Sequence, residues 1–213
     1  TVFNYGSLNI TKIKKNYYLS KEEIEKKLKF KFNKNNLLVT FHPDTINADK
    51  NINNLSILLN SLKEIKNTLI IITSPNADAK GVLMISYIKK FIKKEKTKNF
   101  LFYNSLGSQV YLSMLKVVDG VIGNSSSGIS EAPFFGTATL NVGDRQKGRI
   151  MFPNIINCKI TKKSIIGSIQ KILKKKYKKK MKNKIKIFGN GNAANKIAKK
   201  IITFDYKKYE KKV

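Results

Sequence analysis

The residues best suited to chemistry gather in one stretch, Gly120-Val-Ile-Gly-Asn-Ser-Ser-Ser-Gly-Ile-Ser-Glu-Ala-Pro-Phe-Phe-Gly136. Val121 and Ile122 make a short apolar strand that Gly123 ends. Asn124 and Ser125 to Ser127 are residues that cap helices, and Gly128 leaves room for a close ligand. Unpaired N–H groups at such a turn, added to a helix dipole, favour a phosphate. Glu131 follows one turn later, where a carboxylate accepts hydrogen bonds from sugar hydroxyls. Pro133 keeps the helix short or kinked. Taken alone, the turn equally describes a capped strand–helix junction that binds nothing.

The next stretch tips that balance. Thr137 to Val142 is a further predicted strand, and it empties into Gly143-Asp-Arg-Gln-Lys-Gly-Arg149. All but two of the 43 basic residues are lysine, and both arginines, Arg145 and Arg149, sit in this loop. A planar guanidinium suits bidentate phosphate binding better than an ammonium does. Other polar groups occupy comparable loops. His42, the one histidine, follows an apolar run and precedes Pro43; near neutral pH it suits diphosphate binding or proton exchange. Asn76 lies in a Pro-Asn turn, which turn formation alone would also explain. Asn104 opens the loop after another apolar run. Asp44, Asp49, Asp78 and Asp144 share this edge, but no two of them pair as acid and base.

These loops need a scaffold, and the chain supplies one. Apolar runs at 37–41, 69–73, 100–103, 121–122, 137–142 and 155–160 read as strands. Between them, 51–66 carries Ile52, Leu55, Leu58, Leu59 and Leu62 at helical spacing, and 82–93, 105–116 and 162–174 are further helices. Such alternation predicts an α/β fold, a doubly wound parallel sheet covered on both faces. Ligands of these sheets bind beyond the carboxyl ends of the strands, where all five loops fall. Ser20 with Glu23 predicts a capping box opening a charged helix that reaches about Phe30. The expected organisation is a connector over 1–34, a Rossmann-like domain over 35–203 and a lysine-rich tail over 204–213. The charge run 174–186 is expected to be a solvated helix end or loop.

With 213 residues, 41% of them hydrophobic, the chain can bury a full core. A net charge of +30 would ordinarily suggest nucleic acid or an anionic membrane. Here the lysines are spread with Asn and Ile along most of the chain, as compositional drift would leave them, whereas a specific nucleic-acid surface would use arginine. Such faces bind polyanions non-specifically at low salt. The lone Cys158 excludes an internal disulfide and reads as a buried thiol. One histidine and one cysteine leave no zinc site of the usual kind. No apolar run approaches the roughly 20 residues of a membrane span, and no dinucleotide fingerprint follows the first strand. A cytoplasmic protein with no bound cofactor is expected. Its start at Thr1 points to a fragment.

Gly123-Asn-Ser-Ser-Ser-Gly128, Glu131, the Phe135-Gly136-Thr137 turn and Gly143-Asp-Arg-Gln-Lys-Gly-Arg149 resemble the hydrolysing UDP-N-acetylglucosamine 2-epimerase family. His42-Pro43, Pro75-Asn76-Ala-Asp-Ala-Lys-Gly81 and Phe188-Gly-Asn-Gly-Asn-Ala193 add to the likeness, which covers roughly residues 35 to 203. The similarity is greatest to the branch that makes N-acetylmannosamine or related precursors of sialic- and legionaminic-type acids. It implies the C-terminal, UDP-sugar-binding half of a two-domain GT-B type enzyme that is a homo-oligomer when full length. By this resemblance Ser125, Ser126 and Gly128 hold the diphosphate and Glu131 grips the ribose hydroxyls. His42 matches an active-site histidine, Asn76 contacts nucleotide or sugar, and Arg145 matches a substrate-site arginine; Arg149 fits a structural role equally, and Asn104 is a further expected substrate contact by its place in the third loop of the same edge. The implied reaction eliminates UDP across C1 and C2 of the sugar, then hydrates the glycal with inversion at C2. Its carboxylates come mainly from an N-terminal domain, so this half alone is expected to be inactive. Two alternatives stay open: a GT-B glycosyltransferase domain, and a lysine-rich nucleic-acid-binding module.

Overall fold

The apolar runs become six strands: β1 (Asn35–Thr40), β2 (Thr68–Thr73), β3 (Phe100–Tyr103), β4 (Gly120–Gly123), β5 (Thr139–Val142) and β6 (Ile155–Cys158). All pair in parallel, in the order β3-β2-β1-β4-β5-β6. The four inner strands are buried nearly throughout and the two edge strands only in part, as expected when helices cover both faces. This computed structural model describes residues 2–44, 48–76, 78–96, 98–177 and 189–205. Thr45, Ala77, Phe188, most of the 174–186 charge run and the 206–213 end of the expected tail lie outside the described residues.

Alternation along the strands sorts the side chains into two layers. Leu37, Val39, Ile70, Ile72, Ile122, Leu140 and Val142 join a core with α3 (Asn51–Lys63), α4 (Ala79–Glu95) and α8 (Lys162–Leu173). Leu38, Ile71 and Val121 face the other way, on the side of α2 (Lys21–Leu28), α5 (Gly107–Val117), α6 (Ser127–Ser130) and α7 (Ala132–Phe135). On that second face the last register layer turns polar: Tyr103, Thr73, Thr40, Gly123, Asn141 and Asn157 follow one another across the sheet. Local sequence sets the helix ends. Ser20 and Glu23 form the expected capping box of α2, and Asp78 and Thr161 cap α4 and α8. Lys29 and Lys96 take the left-handed C-cap positions that glycine usually fills.

The chain divides into two compact units, Tyr17–Ile185 and a smaller one in which Thr1–Asn16 joins Lys186–Val213. The first boundary thus falls earlier than the 34/35 junction expected from composition. Residues 17–34 belong with the sheet: Ile24 is fully buried, and the Leu19 N–H donates to Ser113 Oγ of α5 at 3.0 Å. In the smaller unit α1 (Leu8–Lys15) packs against α9 (Ala193–Ile202). The Lys200 ammonium lies 4.3 Å from the Phe3 ring centroid. Gly191, with φ 84°, sits so close that an added Cβ would meet the Lys14 side chain at 2.6 Å.

Candidate functional site

The strand order reverses between β1 and β4, and the crevice at such a switch point is where open α/β sheets bind ligands. Gly123 makes the approach possible. At φ 133° its missing side chain points at β1, where a Cβ would lie 1.9 Å from the Thr40 carbonyl oxygen. The next residue, Asn124, then reaches across the crevice. Its Oδ1 accepts from the His42 N–H at 2.6 Å and its Nδ2 donates to the His42 carbonyl at 2.9 Å. Asn124 is 2% exposed; the helix-capping residue of the sequence analysis is here a clasp between two strand ends.

His42 is held at its ring as well. The Asn76 N–H donates to Nδ1 at 3.1 Å, so Nδ1 carries the lone pair and the neutral ring keeps its proton on Nε2. The spacing Asn76 to Gly81 serves this contact. A Cβ on Gly81 would lie 1.8 Å from the Asn76 carbonyl oxygen, so glycine lets the Asn76 turn settle onto the start of α4. Burial first, then the Arg145 charge, lower the His42 pKa to about 4, against the opposing pull of Asp78. The unfolded imidazole titrates at 6.5. The stability owed to neutral His42 is therefore complete above pH 6.5 and is lost as pH falls towards about 4. In an NMR titration the His42 ring signals should show a midpoint near 4; a midpoint at the ordinary value would refute the buried, Nδ1-accepting ring.

After Asn124 the chain makes two one-turn helices, α6 and α7, broken at Glu131 with Pro133 in the first turn of α7. This is the short, kinked helix predicted. Among the described residues the N–H groups of Ser125 and Ser126 make no hydrogen bond, whereas that of Gly128 donates to the Ser125 carbonyl at 3.2 Å. Gly128 does not open the turn to a ligand as expected: a Cβ there would meet Thr139 Cγ2 of β5 at 2.7 Å. Its role in this geometry is close packing. The half-buried Glu131 carboxylate accepts from Ser127 Oγ at 2.5 Å, and Ser127 Oγ in turn accepts from the Tyr111 hydroxyl at 2.8 Å. Burial above all raises Tyr111 to about 12, so it stays protonated. Tyr111 escaped sequence reasoning because an aromatic residue on a helix's apolar stripe ordinarily signals only core. It also walls a hollow of about 280 Å³ with Thr73, Ser74, Asn104 and Ser105, which is where Asn104 lies.

The two arginines separate. Arg145 Nη1 donates to the Asn124 carbonyl at 3.1 Å, beside Gln146 Nε2 at 2.7 Å, which ties the β5 loop to the clasp. The guanidinium is otherwise exposed. Arg149 instead lines a cleft of about 850 Å³ with Asp44, Lys50, Asn54, Asn141 and Lys159. His42, Asn76, Asn124 and Arg145 are thus joined by bonds at the switch point, while Asn104 adjoins Glu131 through Tyr111. Cys158 is buried, its thiol 3.2 Å from Ser164 Oγ. Among the described residues no cluster of three His, Cys, Asp or Glu side chains is placed to hold a metal. None of their helices is long and apolar enough to cross a membrane.

Residues 1–202 match the family model described as UDP-N-acetylglucosamine 2-epimerase. The chain is 43% identical over 177 residues to GDP/UDP-N,N'-diacetylbacillosamine 2-epimerase (hydrolyzing) of Campylobacter jejuni, covering 83% of this chain and 45% of that one. Polysialic acid biosynthesis protein P7 of Escherichia coli is 36% identical over 171 residues, 79% of this chain and 42% of its own. The chain therefore spans about half the length of these curated relatives. In fold it is similar to the Methanocaldococcus jannaschii UDP-GlcNAc 2-epimerase solved with UDP-GlcNAc and UDP. That match has a TM-score of 0.70 at 18% identity, over 95% of this chain and 55% of that one. By the family match and by the identity to these relatives, the chain belongs to the UDP-N-acetylglucosamine 2-epimerase family.

Proposed function

We propose that the chain is the nucleotide-binding half of a hydrolysing UDP-sugar 2-epimerase. One observation carries this: a turn with two unbonded main-chain N–H groups, an anchored guanidinium, a neutral imidazole and a carboxylate meet at one switch point. In this reading the uracil enters the hollow beside Asn104, and Glu131 accepts from the ribose hydroxyls. The Ser125 and Ser126 N–H groups, Arg145 and the Nε2–H of His42 hold the diphosphate, with Asn76 at its flank and Gly128 shaping the turn. UDP then leaves by elimination across C1 and C2, and donors fixed on its phosphates stabilise the charge that develops there. Water adds to the glycal with inversion at C2. The proton transfers at C2 need acid–base groups, which this reading assigns to the other half of a full-length, cytoplasmic homo-oligomer.

The substrate is UDP-N-acetylglucosamine or a diacetamido relative, as the names of the Campylobacter and Escherichia relatives suggest, and the product feeds sialic- or legionaminic-type acid synthesis. Family membership favours this reading over the glycosyltransferase and nucleic-acid alternatives. Calorimetry at moderate salt tests the site directly. UDP should bind saturably and NAD should not; saturable NAD binding with no response to UDP would remove the proposal.

A further inference from the structure

We propose that Tyr111 and Ser127 are positioning residues that hold Glu131 ready for the ribose hydroxyls, an inference that rests on the nucleotide reading above. The geometry fixes the order of protons. A carboxylate can only accept, so the hydroxyl proton of Ser127 is committed to Glu131 Oε2 at 2.5 Å. Ser127 Oγ is then left to accept, and the Tyr111 hydroxyl donates to it at 2.8 Å. Two hydrogen bonds thus lead from Tyr111 of α5, through Ser127 of α6, to the one carboxylate of the turn.

These bonds answer a mechanical problem. Glu131 sits at the break between two four-residue helices, a place that does little by itself to fix a side chain. Bonding one carboxylate oxygen to a hydroxyl that Tyr111 of α5 holds in turn leaves the other oxygen directed by the first. Charge-assisted bonds of this kind are the strong ones, and they strengthen one another along a chain. Neither Tyr111 nor Ser127 needs to touch the nucleotide polar groups to act. Their effect should appear only on ligands whose hydroxyls Glu131 grips.

Calorimetry with UDP and with 2′,3′-dideoxy-UDP, on the chain and three variants, separates the possibilities. Tyr111→Phe and Ser127→Ala should each weaken UDP by roughly 3- to 10-fold and leave the dideoxy nucleotide within about twofold of the parent. Glu131→Gln should erase the preference for UDP altogether. If Glu131→Gln erases it while both hydroxyl variants keep it, the positioning role is wrong and the nucleotide reading stands. Equal losses for both nucleotides in Tyr111→Phe and Ser127→Ala would mark a merely structural contact and also overturn it. Should the parent show no preference, or bind neither nucleotide, the assignment of Glu131 to the ribose fails first, and this inference with it.

Discussion

Asn124→Ala is expected to cost about 2–4 kcal/mol of stability, since it strands two main-chain groups at once. The alanine methyl can neither accept from the His42 N–H nor donate to the His42 carbonyl, which the amide now meets at 2.6 and 2.9 Å. A cavity is added where the carboxamide stood, in a residue 2% exposed. In a domain of this size the melting temperature should fall roughly 2–4 °C for each kcal/mol. The same change frees the β1 loop from the β4 turn, so UDP affinity should drop by more than roughly tenfold. Asn76→Ala is the control. Its contact with His42 comes from the main-chain N–H, which alanine keeps, so the ring and the melting point should be spared. An Asn124→Ala protein that melts with the parent would show that the clasp holds nothing.

Arg145→Ala should do the reverse, sparing the fold and harming the ligand. The Asn124 carbonyl retains Gln146 Nε2 at 2.7 Å when the guanidinium is gone, so stability should stay within about 0.5 kcal/mol. A charged hydrogen bond to phosphate contributes roughly 1.5–3 kcal/mol, and the expected loss of UDP affinity is on the order of 10- to 100-fold. Arg145→Lys should recover part of it, because the charge returns without the fork. Arg149→Ala serves as the comparison, since Arg149 faces the separate cleft; its effect should be small. Equal, minor losses at both positions would reduce the loop to a solvated surface.

The sheet was legible because its signal is local. Each apolar run at 37–41, 69–73, 100–103, 121–122, 137–142 and 155–160 matches an observed strand, with ends shifted by a residue or two. The five loops also fell on the predicted edge, since strand polarity in a parallel sheet determines that without further information. What the sequence hid depends on register. Asn124 is a capping type by composition and becomes a clasp only because Gly123 allows β4 to lie against Thr40. The tautomer of His42 rests on a partner 34 positions away, and no periodicity reports such a contact. Gly128 could be read as space for a ligand or for a strand; the choice depended on Thr139, which pairing with β4 brings underneath it. The division of the chain after Asn16 was equally hidden, since it needs the two ends to meet.

Many contacts at the switch point are made by the main chain: the Asn76 N–H on the imidazole, the Asn124 carbonyl under Arg145 and Gln146, and the unbonded amides of Ser125 and Ser126. Peptide groups are the same whatever codon specifies the residue. A genome under pressure toward lysine, asparagine and isoleucine can therefore rewrite the protein's surface, even placing Lys29 and Lys96 at left-handed helix ends, without altering those donors and acceptors. The pressure meets resistance only where a side chain is indispensable. That is a physical reason for this chain to keep its two arginines in a single loop while every other basic residue is lysine.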